Sequence, residues 1–296
     1  MADVMVFRHG VSPICREGAK APPAIRRWYI IHRWELFHSI WSGLKQNPEQ
    51  PSRRRLTFHP SRFYEGYGEM ILFKKGDLYR GGMDRYSSFE NLNACERRGI
   101  DYRIRWRLGS TGVAILSIHG GEIEPGSTRI ANAIAGWDHS FYAFEGIKPG
   151  GNLALHITST RFDEPTVLDI VCQSDVAISI HGSAIMTPIV HLGGLDAELK
   201  HHIRRELHES GFQATDCIDR RFGATSLKNI CNLCRRGMGV QMEISRGLRL
   251  MMFQDLTPEG RYYSTAIFTR FTEAVRRAVS PFALIYAETR PLTNTD

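Results

Sequence analysis

From about Tyr86 onward the apolar positions follow two alternating rhythms. Strict alternation at Tyr102, Ile104, Trp106 and Leu108, and short apolar runs at Val113–Ile118, Phe141–Phe144, Leu153–Thr158, Val176–Ile180 and Val240–Ile244, read as strands. Between them, apolar residues recur at helical spacing. Such stretches lie over Phe89, Leu92 and Cys95, over Ile130, Ala133 and Ile134, and over Val167, Leu168 and Val171. Longer ones cover Leu195–Ser210 and Tyr263–Val279, with a shorter one over Lys228–Arg235. Ser87 or Ser88 and Ser127 stand where helices start, and Gly99, Gly136 and Gly211 where they stop. Alternating strands and helices predict an α/β domain, a mixed and mostly parallel sheet flanked by helices, over residues 81–296. Arg103, Arg105 and Arg107 alternate with the apolar face of their strand, so they are expected to be solvated near a sheet edge.

Residues 1–80 have a different texture. Ala21-Pro-Pro-Ala24, Asn47-Pro-Glu-Gln-Pro51 and Arg53-Arg-Arg55 are breakers and charge runs. Between them Ile30, Trp34, Phe37, Trp41 and Leu44 form one apolar helical stripe with Arg26, Arg27 and Arg33 beside it. This is a basic N-terminal extension with one amphipathic helix, suited to a membrane surface or a partner, or simply laid on the main domain.

Charge bears on function once it is located. The chain has 38 Lys and Arg against 31 Asp and Glu. Residues 1–80 hold 14 and 7 of these, which leaves 24 of each sign in the remainder. A balanced main body gives no basic stripe for nucleic acid. The six cysteines lack framework spacing, and Cys231-Asn-Leu-Cys234 has no second pair with which to build a zinc ribbon, so free thiols are expected. No signal-peptide pattern follows Met1 and no run of eighteen apolar residues occurs, so a cytoplasmic protein, or one released without a signal, is expected.

Two apolar strands end in the same way, Val113-Ala-Ile-Leu-Ser-Ile-His119-Gly-Gly-Glu-Ile-Glu124-Pro-Gly126 and Val176-Ala-Ile-Ser-Ile-His181-Gly182. Strand ends of an open α/β sheet are where sites form. His119, one of Glu122 or Glu124, and His181 supply the two-His, one-Glu set of a catalytic zinc. The plainer alternative makes each histidine a polar strand terminus. Glu243 alternates with Val240, Met242 and Ile244 on the opposite face of its strand and is the candidate general base. Arg161 and Arg246 are candidates for an oxyanion or carboxylate clamp. His-Gly-Gly also opens the oxyanion loop of serine esterases, but the chain has no Gly-x-Ser-x-Gly elbow.

Five blocks carry a resemblance: Ile118–Gly126, Tyr142-Ala-Phe-Glu-Gly146, Leu155-His-Ile-Thr-Ser-Thr-Arg-Phe-Asp-Glu-Pro165, Ile178–Gly182 and Gly239–Ser245. In this order they resemble the phage and bacterial poly-γ-glutamate hydrolases, zinc peptidases similar in fold to a compact zinc carboxypeptidase. The resemblance covers roughly Tyr86 to Arg249 and leaves out residues 1–80. It implies one Zn2+ on His119, His181 and a glutamate; Glu124, selected by the Ile-Glu-Pro-Gly block, is the expected ligand, and Glu122, selected by carboxypeptidase spacing, the alternative. It further implies Glu243 as base, Arg161 near the substrate, and His156 and Asn229 lining the site; Arg246 joins them as a substrate-binding candidate. The expected substrate is anionic γ-linked polyglutamate, acted on by a monomer. A general metallo-carboxypeptidase and a non-catalytic binding domain are the alternatives.

Overall fold

The computed structural model describes residues 84–217 and 223–289, all within the unit that spans Gly81–Asp296. The basic extension over residues 1–80, with the amphipathic helix expected in it, lies outside the described residues. In chain order the elements are α1 (Phe89–Cys95), β1 (Tyr102–Arg107), β2 (Val113–Gly121), α2 (Ser127–Ala135) and β3 (Ser140–Gly146). There follow α3 (Pro165–Gln173), β4 (Val176–Ser183), β5 (Val190–Gly193), α4 (Ala197–Glu209), β6 (Ala214–Asp216), β7 (Val240–Ser245), α5 (Arg246–Met252) and α6 (Ala266–Thr289).

The strands form one sheet in the order β1-β3-β2-β4-β7-β5-β6. Its centre, β3-β2-β4-β7, is parallel, while β1 and β5 join antiparallel to β3 and β7. Central parallel strands are covered on both faces, so β2, β3, β4 and β7 are buried over nearly their whole length and are mostly apolar, with Gln241 and Glu243 of β7 among the polar exceptions. On one face Val113, Ile115, Ile178 and Met242 pack with Ile130 and Ile134 of α2, Ile203 and Leu207 of α4, and Phe271 and Val275 of α6. On the other, Ala114, Leu116 and Ile118 pack with Leu92 of α1 and Val167 and Val171 of α3. The mixed, mostly parallel sheet flanked by helices is thus the fold that the two rhythms predict.

Several local expectations change. Leu153–Thr158 is not a strand. Asn152 Oδ1 accepts from the Lys148 amide (2.9 Å) and its Nδ2 donates to the Lys148 carbonyl (2.8 Å). This closes a loop that enters a 3-10 turn at Asn152–Leu155. Lys228–Arg235 contracts to a 3-10 turn at Ile230–Leu233, capped by Asn229. Gly126 rather than Ser127 occupies the N-cap of α2, and the Ser127 hydroxyl donates instead to the Glu124 carbonyl at 2.8 Å. The arginines of β1 are not simply solvated. Pairing with β3 sets Arg103 directly opposite Glu145, and its Nε donates to that carboxylate at 2.5 Å. Arg107 reaches Asn132 Oδ1 at 2.8 Å and the Gly136 carbonyl at the C-terminal end of α2, where a cation meets the exposed carbonyls of a helix. Cys172, Cys231 and Cys234 are free thiols.

Candidate metal centre

The strand-end histidines meet at the C-terminal edge of the parallel core. In β2, alternation puts Val113 and Ile115 toward α2 and Ala114, Leu116 and Ile118 toward α3. The β2–β3 register then shifts, with Ser117 opposite Ala143 but Gly120 opposite Glu145, so β2 carries one extra residue. A bulge of this kind re-aims a side chain at a strand end. It turns His119 to the α3 side, where its Nε2 lies 2.8 Å from the Ile157 carbonyl. Gly121 follows at a φ of +64°, and a Cβ there would collide with the Gly146 carbonyl. Only glycine combines that backbone with that approach.

A carbonyl oxygen only accepts, so His119 Nε2 carries the proton and Nδ1 presents a lone pair. That Nδ1 lies 3.1 Å from Glu124 Oε1 and 3.1 Å from His181 Nδ1. His181 is held from behind by Ser179 Oγ, 2.8 Å from its Nε2, and its Nδ1 is 3.6 Å from Glu124 Oε2. Glu124 Oε2 also accepts the Gly182 amide at 2.8 Å. All three side chains are buried. Three acceptor atoms brought this close in a buried site need a proton or a cation among them. A hydrogen-bond partner on the far nitrogen of each imidazole is the arrangement that orients metal-binding histidines. The donor set therefore fits a metal ion of zinc type. Burial pushes the Glu124 carboxyl up, but the facing His119 and His181 outweigh it and hold its pKa well below the usual range. Burial likewise depresses His181, and Glu124 more than restores it.

His156, Glu124 and His119 also offer ligand atoms within 4.8 Å of one another. The His156 ring, however, stacks on His119, with centroids 3.9 Å apart and planes at 33°. Imidazole lone pairs lie in the ring plane, so stacked rings do not converge on one ion. His156 Nδ1 is moreover engaged by Asp84 Oδ1 at 2.8 Å. Burial and the neighbouring His119 depress the His156 pKa to about 4, so it stays neutral. His181 is the better third ligand on these grounds.

Glu243 lies beside His181 in the β4–β7 register. Its Oε1 accepts from Gln241 Nε2 at 2.9 Å, and Gln241 Oε1 in turn accepts from Asn229 Nδ2 at 3.0 Å. Burial pushes Glu243 up to about 7, against the opposing pull of His181. Asn229 thus stands behind Gln241, its own Oδ1 occupied by the Cys231 amide. Arg161 is half-exposed and donates to Asp84 Oδ2 at 2.6 Å, so one carboxylate joins it to His156. Arg246 is exposed at the start of α5, outside this cluster. Glu122 turns away from the histidines to pair with Arg261.

Four contributors escape the sequence reading. Asp84 has no periodic context, and Gln241 and Ser179 are inconspicuous strand residues that precede Glu243 and His181 on the same faces. The fourth is Arg249, buried in α5. It donates to the carbonyls of Pro125 (2.5 Å), Ser183 (2.7 Å) and Ile244 (3.1 Å). Each carbonyl lies one or two residues beyond Glu124, His181 or Glu243. A single guanidinium therefore ties together the three segments that carry the site, and Gly182 leaves room for it: a Cβ there would stand 2.6 Å from Arg249 Cζ.

No described helix is long and apolar enough to cross a membrane. The sequence profile of the poly-gamma-glutamate hydrolase family matches residues 86–274. The SPbeta prophage-derived protein YoqZ of Bacillus subtilis is 38% identical over 197 residues, which cover 64% of this chain and 71% of YoqZ. Among solved structures, a bacteriophage poly-gamma-glutamate hydrolase superposes with a TM-score of 0.66 at 34% identity, over 69% of this chain and 100% of that one. A zinc-free form of YndL gives 0.64 at 34% identity, over 67% and 98%. With the profile spanning most of the described unit and these relatives matched through it, the chain belongs to the poly-gamma-glutamate hydrolase family.

Proposed function

We propose that this protein hydrolyses γ-glutamyl amide bonds of poly-γ-glutamate, with one zinc ion per chain held by His119, Glu124 and His181. The observation that carries the reading is the convergence of two imidazole Nδ1 atoms and the Glu124 carboxylate, beside a buried glutamate whose pKa stands at about 7. Zinc held by such a set would supply Lewis acidity, lowering the pKa of a water and polarising the scissile carbonyl. Glu243, buried beside His181, is placed to take a proton at one carboxylate oxygen and pass it to the leaving amine. Gln241, backed by Asn229, fixes the other oxygen. Arg161, oriented by Asp84, offers its fork to the developing oxyanion or to a substrate α-carboxylate. His156, neutral and with Nδ1 held by Asp84, presents Nε2 toward the bound chain. Arg246, farther out, supplies positive charge to the polymer.

Incubation with poly-γ-glutamate, with and without chelator, followed by size-exclusion measurement of chain length, tests this. Shortening that needs the metal is expected. Polymer of unchanged length in the zinc-loaded sample rules out the substrate, and faster cleavage of α-linked polyglutamate favours a general metallo-carboxypeptidase.

A further inference from the structure

Beside the metal centre lies a cavity of about 1020 Å³ that the chemistry above does not use. Gly121, Glu122 and Gly126 line it. They belong to the loop that carries Glu124, so this loop is a wall common to the cavity and the metal centre. Opposite are the exposed face of β1, the end of β3 and the turn around Tyr262. The volume reaches the upper end of the roughly 300–1,000 Å³ of small-molecule sites. It has room for a stretch of chain.

Its charge is net positive. Arg103, Arg105, Arg129, Lys148 and Arg261 line it, against Glu122 and Glu145. Lys148 also engages Glu96, 2.5 Å away and outside the lining. Even with that carboxylate counted, five cations face three acids, an excess of two. Arg103 and Arg105 share the one Glu145 carboxylate, at 2.5 and 3.8 Å, and both are half-exposed. Arg103 gives Glu145 its Nε, which leaves its terminal nitrogens for another acceptor. Arg129 has no ion pair among the described residues; its guanidinium lies 4.7 Å over the ring of Tyr262, itself 70% exposed. A stacked guanidinium keeps its in-plane donors available.

We infer that this cavity is a subsite for a polycarboxylate chain, in which Arg103, Arg105 and Arg129 pair with α-carboxylates of γ-linked glutamyl residues remote from the bond being cleaved. The inference rests on the poly-γ-glutamate reading for the identity of the chain. Every residue of that polymer carries a free carboxylate, and fork-shaped donors along a groove match a row of them. Binding energy gathered at remote units is what a polymer hydrolase uses to hold the scissile bond in place. The balanced charge of residues 81–296 and the concave form disfavour a nucleic-acid track.

The test compares the full-length protein with its R103Q/R105Q/R129Q variant on long poly-γ-glutamate and on a γ-linked triglutamate. The ratio of kcat/KM on polymer to that on trimer is expected to fall on the order of tenfold, through KM and with a weaker salt dependence. Equal losses on both substrates, or no loss on either, overturn the inference. Fluorescence anisotropy of labelled poly-γ-glutamate on chelator-treated protein separates the two readings. Wild-type protein that binds polymer through these arginines yet never shortens it refutes the hydrolase and supports the subsite. Protein that shortens polymer, with binding unchanged in the triple variant, refutes the subsite alone.

Discussion

Replacing Glu243 with glutamine should abolish turnover and at the same time stabilise the metal-free protein. The carboxylate is buried between strands, its Oε1 held by Gln241 at 2.9 Å. Glutamine keeps the shape and offers the same donor a carbonyl. Loss of a general base costs about 10²–10⁴ in rate, equivalent to roughly 3–5 kcal/mol of barrier. The opposite effect on stability comes from the carboxyl itself. Burial, partly countered by His181, raises it from 4.5 to about 7. At about 1.4 kcal/mol per pH unit, ionised Glu243 destabilises the metal-free fold by about 3 kcal/mol above pH 7. Because the folded pKa exceeds the unfolded one, the stability contributed by the protonated form is complete below 4.5. It is lost as pH rises through about 7. Urea unfolding of chelated wild type and Glu243→Gln at about pH 5 and pH 8 measures this directly. The variants should differ little at pH 5 and by about 3 kcal/mol, in favour of glutamine, at pH 8. Zinc content should be retained while polymer cleavage disappears. A variant with wild-type turnover, or one less stable than wild type at the higher pH, refutes the assignment of Glu243 as a buried, poised base.

Other outcomes follow from the same geometry. Ser179→Ala removes the contact behind His181 and should weaken zinc about 10–100-fold without unfolding the chain, as a competitive chelator titration would show; unchanged affinity would mean that Ser179 does not orient the ligand. Arg249→Met releases three buried carbonyls and should destabilise the protein by about 3–5 kcal/mol in urea unfolding, with Arg249→Lys recovering part of it; a loss under about 1 kcal/mol would deny the clamp its structural role. Asp84→Asn weakens the hold on Arg161 and His156 and should raise KM for polymer several-fold while the Glu243-dependent acid limb of the pH–rate profile stays in place. In the zinc-loaded enzyme the ion's charge moves that limb below about 7, so activity rises with pH through it and then levels.

What the sequence exposes and what it hides have separate physical causes. Strands buried on both faces are written as apolar runs, so the ends of β2 and β4, and the alternating face of β7 that carries Glu243, stand out in one dimension. His119, His181 and Glu243 were legible for that reason. The choice between Glu122 and Glu124 was not, because it depends on how a short turn closes. The Glu124 amide returns to the His119 carbonyl at 3.0 Å, which brings the second carboxylate inward and leaves the first for Arg261. The arginines show the same limit. Arg246 and Arg249 sit three residues apart on one short helix, and composition does not say which faces the site. The deciding contacts lie elsewhere in the fold: Arg249 turns inward to the carbonyls of Pro125, Ser183 and Ile244, while Arg246 meets solvent.

Asp84 marks the far end of this limit, since its partners His156, Thr158 and Arg161 lie 72 to 77 positions away. No local pattern can announce such a contact. Its consequence for the site is nonetheless specific. Partial burial works to raise the Asp84 pKa, and the Thr158 amide and His156 lower it on balance, so this carboxylate stays ionised and holds a cation and a neutral imidazole at fixed positions. Glu243 is tuned the other way, kept near neutrality by burial. In the proposed mechanism the two acids therefore divide the work by environment: one orients the groups that would meet the substrate, and the other would exchange the proton.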